Sequence, residues 1–229
     1  MLRPLLLLAL LIVPGAIVAI ADGAASPLSP APNEALDRAK PIFSWTIPDG
    51  ETAQKVSIAS DPAVTPAGEF LAQNVVDLGV LSGTPKSYVP QQGLFAGHYW
   101  WSVYSVDAAF MPLYSSPSPF TIKEHVRVGS FGFRRLKAFG TYQITVQWAS
   151  NVKSPSLRVK ITVNGRHRIL FKQAKQLSVY NSIIDQPRVE TLRWSSKKRL
   201  APGTRATLTV ELRGTTRSTI RTLPLVAKS

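Results

Sequence analysis

The sequence predicts an all-β protein: two tandem antiparallel β-sandwich domains behind an N-terminal signal peptide. Three observations lead there. From Pro41 onward, short apolar stretches recur between turn signals, and no helical period runs through them. In the second half, several stretches alternate strictly between apolar and polar residues, as strands with one buried face do. The charge also changes sign along the chain. Residues 1–124 carry 6 Lys+Arg against 10 Asp+Glu, and residues 125–229 carry 21 against 3, so −4 and +18 make up the total of +14. Such asymmetry points to two folding units with the basic role confined to the second.

The chain opens with Arg3 before an apolar run, Leu5 to Val13, which Pro14 and Gly15 interrupt. Ala19-Ile20-Ala21 fits the small-x-small cleavage rule, so residues 1–21 read as a signal peptide cut near Ala21. The alternative is a retained N-terminal membrane anchor, for which 17 residues containing a proline are short against the roughly 20 that a spanning helix needs. Either way the protein is expected to be secreted or held at the cell surface. Residues 22–40, rich in Ala and Pro, read as an extended spacer. The first sandwich is expected over 41–123 and the basic one over 127–229.

In the first unit the strand candidates are IFSWTI, QKVSIAS, SYVP, HYWWSVYSVD and SPFTI, punctuated by PDGE, SGTP and QQGLFAG. Strand periodicity places Tyr99, Trp101 and Val103 on one face, with Trp101 and Trp45 as the expected core pair across the sandwich. Trp100 and Tyr104 then point outward, as a candidate aromatic contact for a sugar or a partner chain, or as rings covered by a loop or a domain seam. Phe43 and Trp45 on an early strand, the run Gly97 to Val103 (GHYWWSV) and the closing Phe120-Thr121-Ile122 resemble a bacterial fibronectin type III-like domain. That resemblance covers about residues 41–123 and implies a fold rather than a chemistry. The stretch between Asp61 and Gly83 departs from its pattern.

The second unit resembles no named family. Its strands are nonetheless plain: Tyr142 to Trp148, Leu157 to Val163 and Ala206 to Leu212 each alternate apolar with polar residues. Asn164-Gly165 marks a hairpin. A two-residue loop would set Arg166 and Arg168 opposite Val163 and Ile161. A three-residue bulged loop instead pairs Ile161 with His167, Val159 with Ile169 and Leu157 with Phe171. That register puts Arg158, Lys160, Arg166 and Arg168 on one outward face, with Lys160 opposite Arg168.

The chain has no cysteine and 3 histidines, which argues against disulfides, thiolate metal sites and an all-protein zinc site. No G-x-S-x-G elbow, phosphate-binding P-loop or H-E-x-x-H helix occurs. The second half offers only Asp185, Glu190 and Glu211 as acids, all in cationic company, and no enzyme, cofactor or metal is expected. The charge is the stronger lead, because +18 on one domain far exceeds the magnitude of about 2–8 that solubility requires. Candidate anion-binding residues are Arg158, Lys160, Arg166 and Arg168, together with the run Lys197, Lys198 and Arg199 that follows Trp194. Arg134, Arg135 and Lys137 fall near the expected domain junction. The function these observations imply is a noncatalytic module whose basic half docks on an anionic cell-envelope polymer or a protein partner, with a membrane surface as a further option. One alternative is an extracellular nucleic-acid or general polyanion binder, with Trp194 as a stacking ring. The other is an accessory part of an extracellular hydrolase.

Overall fold

The computed structural model describes residues 24–135, 141–164, 169–195 and 203–226. The expected signal peptide lies outside them. Among the described residues no helix is long and apolar enough to cross a membrane.

The first unit contains strands β1 (Ser26–Ser29), β2 (Glu34–Leu36), β3 (Phe43–Thr46), β4 (Thr52–Ala59), β5 (Val75–Val80), β6 (Ser87–Tyr88), β7 (Gly97–Val106), β8 (Pro112–Tyr114) and β9 (Ser118–Ile122). One sheet has the order β1-β3-β6; the other runs β2-β9-β7-β4-β5, with β8 paired to β7. The second unit contains β10 (Val126–Arg135), β11 (Thr141–Ser150), β12 (Ser156–Val163), β13 (Ile169–Gln176), β14 (Arg188–Ser195), β15 (Arg205–Arg213) and β16 (Ser218–Val226). Its sheets are β10-β11-β14 and β13-β12-β15-β16. With the short β2 and β8 set aside, each unit sets its first, second and fifth strands against its fourth, third, sixth and seventh. The first unit is thus a β-sandwich, as its resemblance implies, and the second repeats the same strand order without that resemblance.

The alternating strands do what their period demands. β11 is buried at every second residue, with Tyr142, Ile144, Val146 and Trp148 inward, and Leu157, Val159 and Ile161 face Leu208, Val210 and Leu212 across β12 and β15. In the first core Trp45 and Trp101 are both fully buried, but the ring meeting Trp101 edge-on is Phe43, at 5.0 Å, and Phe43 in turn meets Phe120 at 5.4 Å. The expected Trp45–Trp101 pair is replaced by this Trp101–Phe43–Phe120 row, because Phe43 occupies the same inward face two residues before Trp45.

Within the expected spacer, Ser26–Ser29 and Glu34–Leu36 are strands built into the first sandwich. β1 pairs antiparallel with β3, and β2 pairs parallel with β9, so the chain passes from one sheet to the other between them. Ala25 and Leu36 are buried, and the Trp101 indole donates to the Pro30 carbonyl at 3.4 Å. Proline-rich sequence fits here because both strands lie at sheet edges, where a missing N–H costs no ladder bond.

The irregular stretch after Asp61 also has a defined place. It closes on itself through a Val64–Phe70 bridge and lies against β4 and β8, where Glu69 holds Lys55 at 2.7 Å and Gly68 abuts the Tyr114 side chain.

The two units join through Lys123–His125, and each linker residue is fastened. The buried Asn151 side chain accepts from the His125 N–H at 2.7 Å and donates to the Lys123 carbonyl at 2.8 Å. Glu124, 8% exposed, accepts from the N–H of Thr216 (2.9 Å), its hydroxyl (3.0 Å) and the N–H of Arg217 (2.9 Å) in the β15–β16 turn. Ala39 and Phe95 of the first unit pack into the core of the second, and Ala96 N–H donates to Asn151 C=O at 2.9 Å.

Candidate functional site

The hairpin of β12 and β13 decides how the cations of the second unit are grouped. Ile161 pairs with Phe171, Val159 with Gln173 and Leu157 with Lys175, and an irregularity then brings Ile169 opposite Thr162. The three-residue loop, with Ile161 opposite His167, is therefore overturned. Its error lies in Ile169-Leu170-Phe171, three apolar residues in a row, which period 2 cannot place. The bulge turns Leu170 and Phe171 toward the core and leaves Ile169 49% exposed. Arg166, His167 and Arg168 lie outside the described residues, as do Lys197, Lys198, Arg199 and Lys137.

Arg158 and Lys160 nevertheless point outward, because they alternate with Leu157, Val159 and Ile161. The residue directly across from Lys160 is Lys172, not Arg168. On the other side Lys160 faces Thr209 and Arg158 faces Glu211. These side chains, with Ala174 and Gln173, line a groove of about 430 Å³ on the outer face of the four-stranded sheet. Directly paired residues hold their Cβ atoms about 4.5–5.5 Å apart, and like charges so placed repel.

The acids of this unit do not neutralise the pair. Glu211 lies 3.9 Å from Arg158 and 3.5 Å from Arg213, Glu190 holds Lys175 at 2.7 Å across the open edge of the sandwich, and Asp185 faces His125 at 3.7 Å. Lys160 and Lys172 make no ion pair among the described residues. Other cations have structural partners: Arg221 reaches the Val128 and Gly129 carbonyls, and Arg188 donates to the Ser178 carbonyl while lying over the Trp148 ring. Arg134 donates to Gln143 at 3.1 Å and sits at the far end of β10, away from the domain junction where its sequence position suggests it. The reason is that β10 starts at the linker and runs away from it.

The aromatic candidates are placed differently from one another. Tyr104 packs on Tyr114 at 4.9 Å, with the Lys55 ammonium 5.2 and 5.8 Å from the two rings, so an ammonium and a tyrosine of its own chain lie against it. Trp100 is half-buried, opposite Ala59 and Pro119. The structure does not bring Trp100 and Tyr104 together as one open platform. Trp194 stacks on Tyr142 at 4.8 Å and tilts against Phe171 at 5.7 Å, in a row that begins at Phe133, so it serves the core rather than an approaching base.

A concavity of about 820 Å³ lies where the two units meet and was not legible in the sequence. Asp37, Arg38 and Lys40 line it from the first unit, His125 from the linker, and Arg127, Asp185 and Arg217 from the second. Burial pushes the Asp185 carboxyl above the usual carboxylate range, while His125 and Arg127 pull the other way. Among the described residues no group of three or more His, Asp or Glu is arranged to hold a metal ion.

No protein-family model matches the chain, and no curated protein matches it. Solved structures with similar backbones include the fibronectin(III)-like modules of Clostridium thermocellum CbhA, at 12% identity over 89% of this chain and 94% of that one, TM-score 0.31. The FN1–FN3 domains of chicken CNTN1 follow at 14% identity over 89% of this chain and 66% of that one, TM-score 0.28. The α-L-rhamnosidase of Streptomyces avermitilis is similar at 13% identity over 87% of this chain and 24% of that one, TM-score 0.31. At these scores the fold assignment rests on the strand order itself.

Proposed function

We propose that the protein is a noncatalytic, exported tandem module whose first sandwich spaces or holds a partner and whose second docks on an anionic envelope polymer. The observation that carries this reading is the outward Lys160–Lys172 pair. Two ammonium groups that make no ion pair among the described residues stand directly across from each other, with Arg158 beside them and Thr209 in the same groove. Like charges so placed cost stability when empty. A polyanion laid along the groove removes that cost, and its affinity adds to the field of a domain carrying +18.

The test is sedimentation of the purified protein with anionic wall polymer. Binding at low salt should be lost as ionic strength rises through roughly 0.1–0.5 M, where the screening length shortens from about 10 Å to roughly 4 Å. Lys160→Gln with Lys172→Gln should weaken binding several-fold while leaving the thermal midpoint unchanged or slightly raised. Unchanged binding in that double variant removes the groove from the function. Equal binding of wall polymer, DNA and dextran sulfate reduces the reading to general polyanion attraction.

A further inference from the structure

β5 forms one edge of the larger sheet of the first unit, and its free side is apolar and open. The Leu81 N–H donates to the Gln54 carbonyl at 2.9 Å, and in the same ladder Gly79 pairs with Val56 and Asp77 with Ile58. Backbone direction alternates along an antiparallel strand, so the N–H and C=O groups of Leu78 and Val80 point away from β4. Among the described residues no strand lies on that side. The side chains of the same two residues stand on the outer face, Leu78 51% and Val80 80% exposed. Beside Val76, Asp77 and Leu78 runs a slot of about 260 Å³, with Gln91 and Gln92 on its far wall, so the edge is open there.

Sheet edges are ordinarily blunted by proline, by charge or by shortness. The other edges among the described residues follow that rule. β1 and β16 contain Pro27 and Pro224, β2 and β6 hold three and two residues, and β10, β13 and β14 carry the exposed Arg134, Lys172 and Arg193. The charges nearest the β5 edge in the ladder, Asp77 and Lys55, are both turned away from it. Asp77 faces inward, where its carboxylate accepts from the Tyr88 hydroxyl at 2.7 Å. Lys55, across from Val80 on β4, is held by Glu69 at 2.7 Å and lies over the Tyr104 and Tyr114 rings. Tyr88 also backs the strand, since its ring occupies the space that a Cβ at Gly79 would need. β5 is therefore fixed from behind while its outer edge stays free.

We propose that the protein self-associates through this edge, two copies pairing antiparallel about Gly79 so that their larger sheets become one. In that register Leu78 of each copy lies opposite Val80 of the other, at a Cβ separation of about 4.5–5.5 Å. Each such pair exchanges both backbone hydrogen bonds. Gly79 faces Gly79, so no side chain obstructs the crossing point. Pairing about Leu78 instead would depend on Val76, which lies in the bulge beside Ala59. The edge is self-complementary, apolar against apolar with no charge opposed, and a two-fold pairing closes without propagating. A second copy also suits the charge of the whole chain. Val75 is the end of β5 nearer the linker, because its partner Ala59 is level with Trp100 and Pro119, whereas Val80 is level with Lys55 and Tyr104. Antiparallel β5 strands therefore send the two basic second units, +18 each, to opposite ends of the dimer.

Sedimentation of the intact protein, free of any polyanion, tests this. The wild type should shift from monomer toward dimer as its concentration rises. Leu78→Lys with Val80→Lys sets like charges opposite each other twice and should raise the dimer dissociation constant by roughly tenfold or more. Leu78→Glu with Val80→Lys removes the same two apolar side chains but opposes unlike charges, and should stay within roughly threefold of the wild type. Both residues are exposed, so neither double variant should lower the thermal midpoint. Amide exchange gives a reading that needs no substitution. The outward Leu78 and Val80 N–H groups should gain protection with concentration, whereas those of Asp77 and Gly79, which face β4, are protected throughout. A wild type that stays monomeric to roughly 1 mM overturns the proposal. Equal loss of association in both double variants, or unchanged association in the double-lysine one, overturns it as well, because contact then does not run through this register. So does a dimer in which Leu78 and Val80 gain no protection.

Discussion

Glu124→Ala should destabilise the second sandwich by about 2–4 kcal/mol, a large share of the margin of a domain this size. Glu124 is buried, and its carboxylate accepts three hydrogen bonds from the β15–β16 turn at 2.9–3.0 Å. Truncation leaves two backbone N–H groups and a hydroxyl without their acceptor and opens a gap beside Val152, which lies next to Gly214. Burial alone would raise the carboxyl, but the Thr216 and Arg217 donors outweigh it and hold Glu124 below the usual range. With the folded value depressed, its contribution is complete above the unfolded value near 4.5 and disappears as pH falls through the folded one. Urea unfolding followed by the fluorescence of Trp148 and Trp194 should show an acid-sensitive contribution in the wild type that Glu124→Ala lacks. Gly214 gives an independent handle. A Cβ there would sit 1.8 Å from the Glu124 Oε1 atom and 3.0 Å from Val152, so Gly214→Ala must expel the carboxylate. The two substitutions act on one contact, and the double variant should cost far less than the sum of the singles. Additive losses would show that Glu124 and the turn are not coupled.

What could be read in the sequence follows from which forces are local. β11, β12 and β15 alternate because each has one face in the core and one in water, and that pattern alone places Arg158 and Lys160 outward. Lys172 was missed because its face depends on the hairpin register, and register there is set by where Ile169-Leu170-Phe171 can bury two of three apolar side chains. The shared strand order of the two units was equally invisible in the second, since it resides in pairings between distant segments and not in any motif. The cleft between the two units has the same origin. Asp37, His125 and Asp185, which line it, come from the end of the first unit's edge segment, the linker and the β13–β14 connection, and only the docked sandwiches bring them within 4 Å. The Asp61–Asn74 segment shows a further limit, because a flap that covers the outside of a sheet keeps no strand period.

The edge segment before Asp37 gives the most direct contest between the two readings of a proline-rich stretch. If residues 24–36 were a spacer, a chain beginning at Asp37 would keep its first sandwich. The structure requires the opposite outcome. Removing the segment strips β1 from β3 and β2 from β9, exposes the surfaces now covered by Ala25 and Leu36, and takes away the Pro30 carbonyl that receives the Trp101 indole N–H. It also removes the acceptor of the Lys123 N–H, the Leu36 carbonyl at 2.8 Å, and the Asn33 N–H that reaches Pro119 at 2.7 Å. Each of these losses falls on a buried group or a sheet ladder, so the sum should reach about 3–5 kcal/mol and bring the first sandwich to the edge of unfolding at room temperature. The second sandwich keeps its own core and gives the control: near-ultraviolet signal from Trp148 and Trp194 should persist while that from Trp45 and Trp101 disappears. A truncated chain whose first unit melts at the wild-type midpoint would return residues 22–40 to the role of a tether, and with it the Pro30–Trp101 contact would carry no weight in the fold.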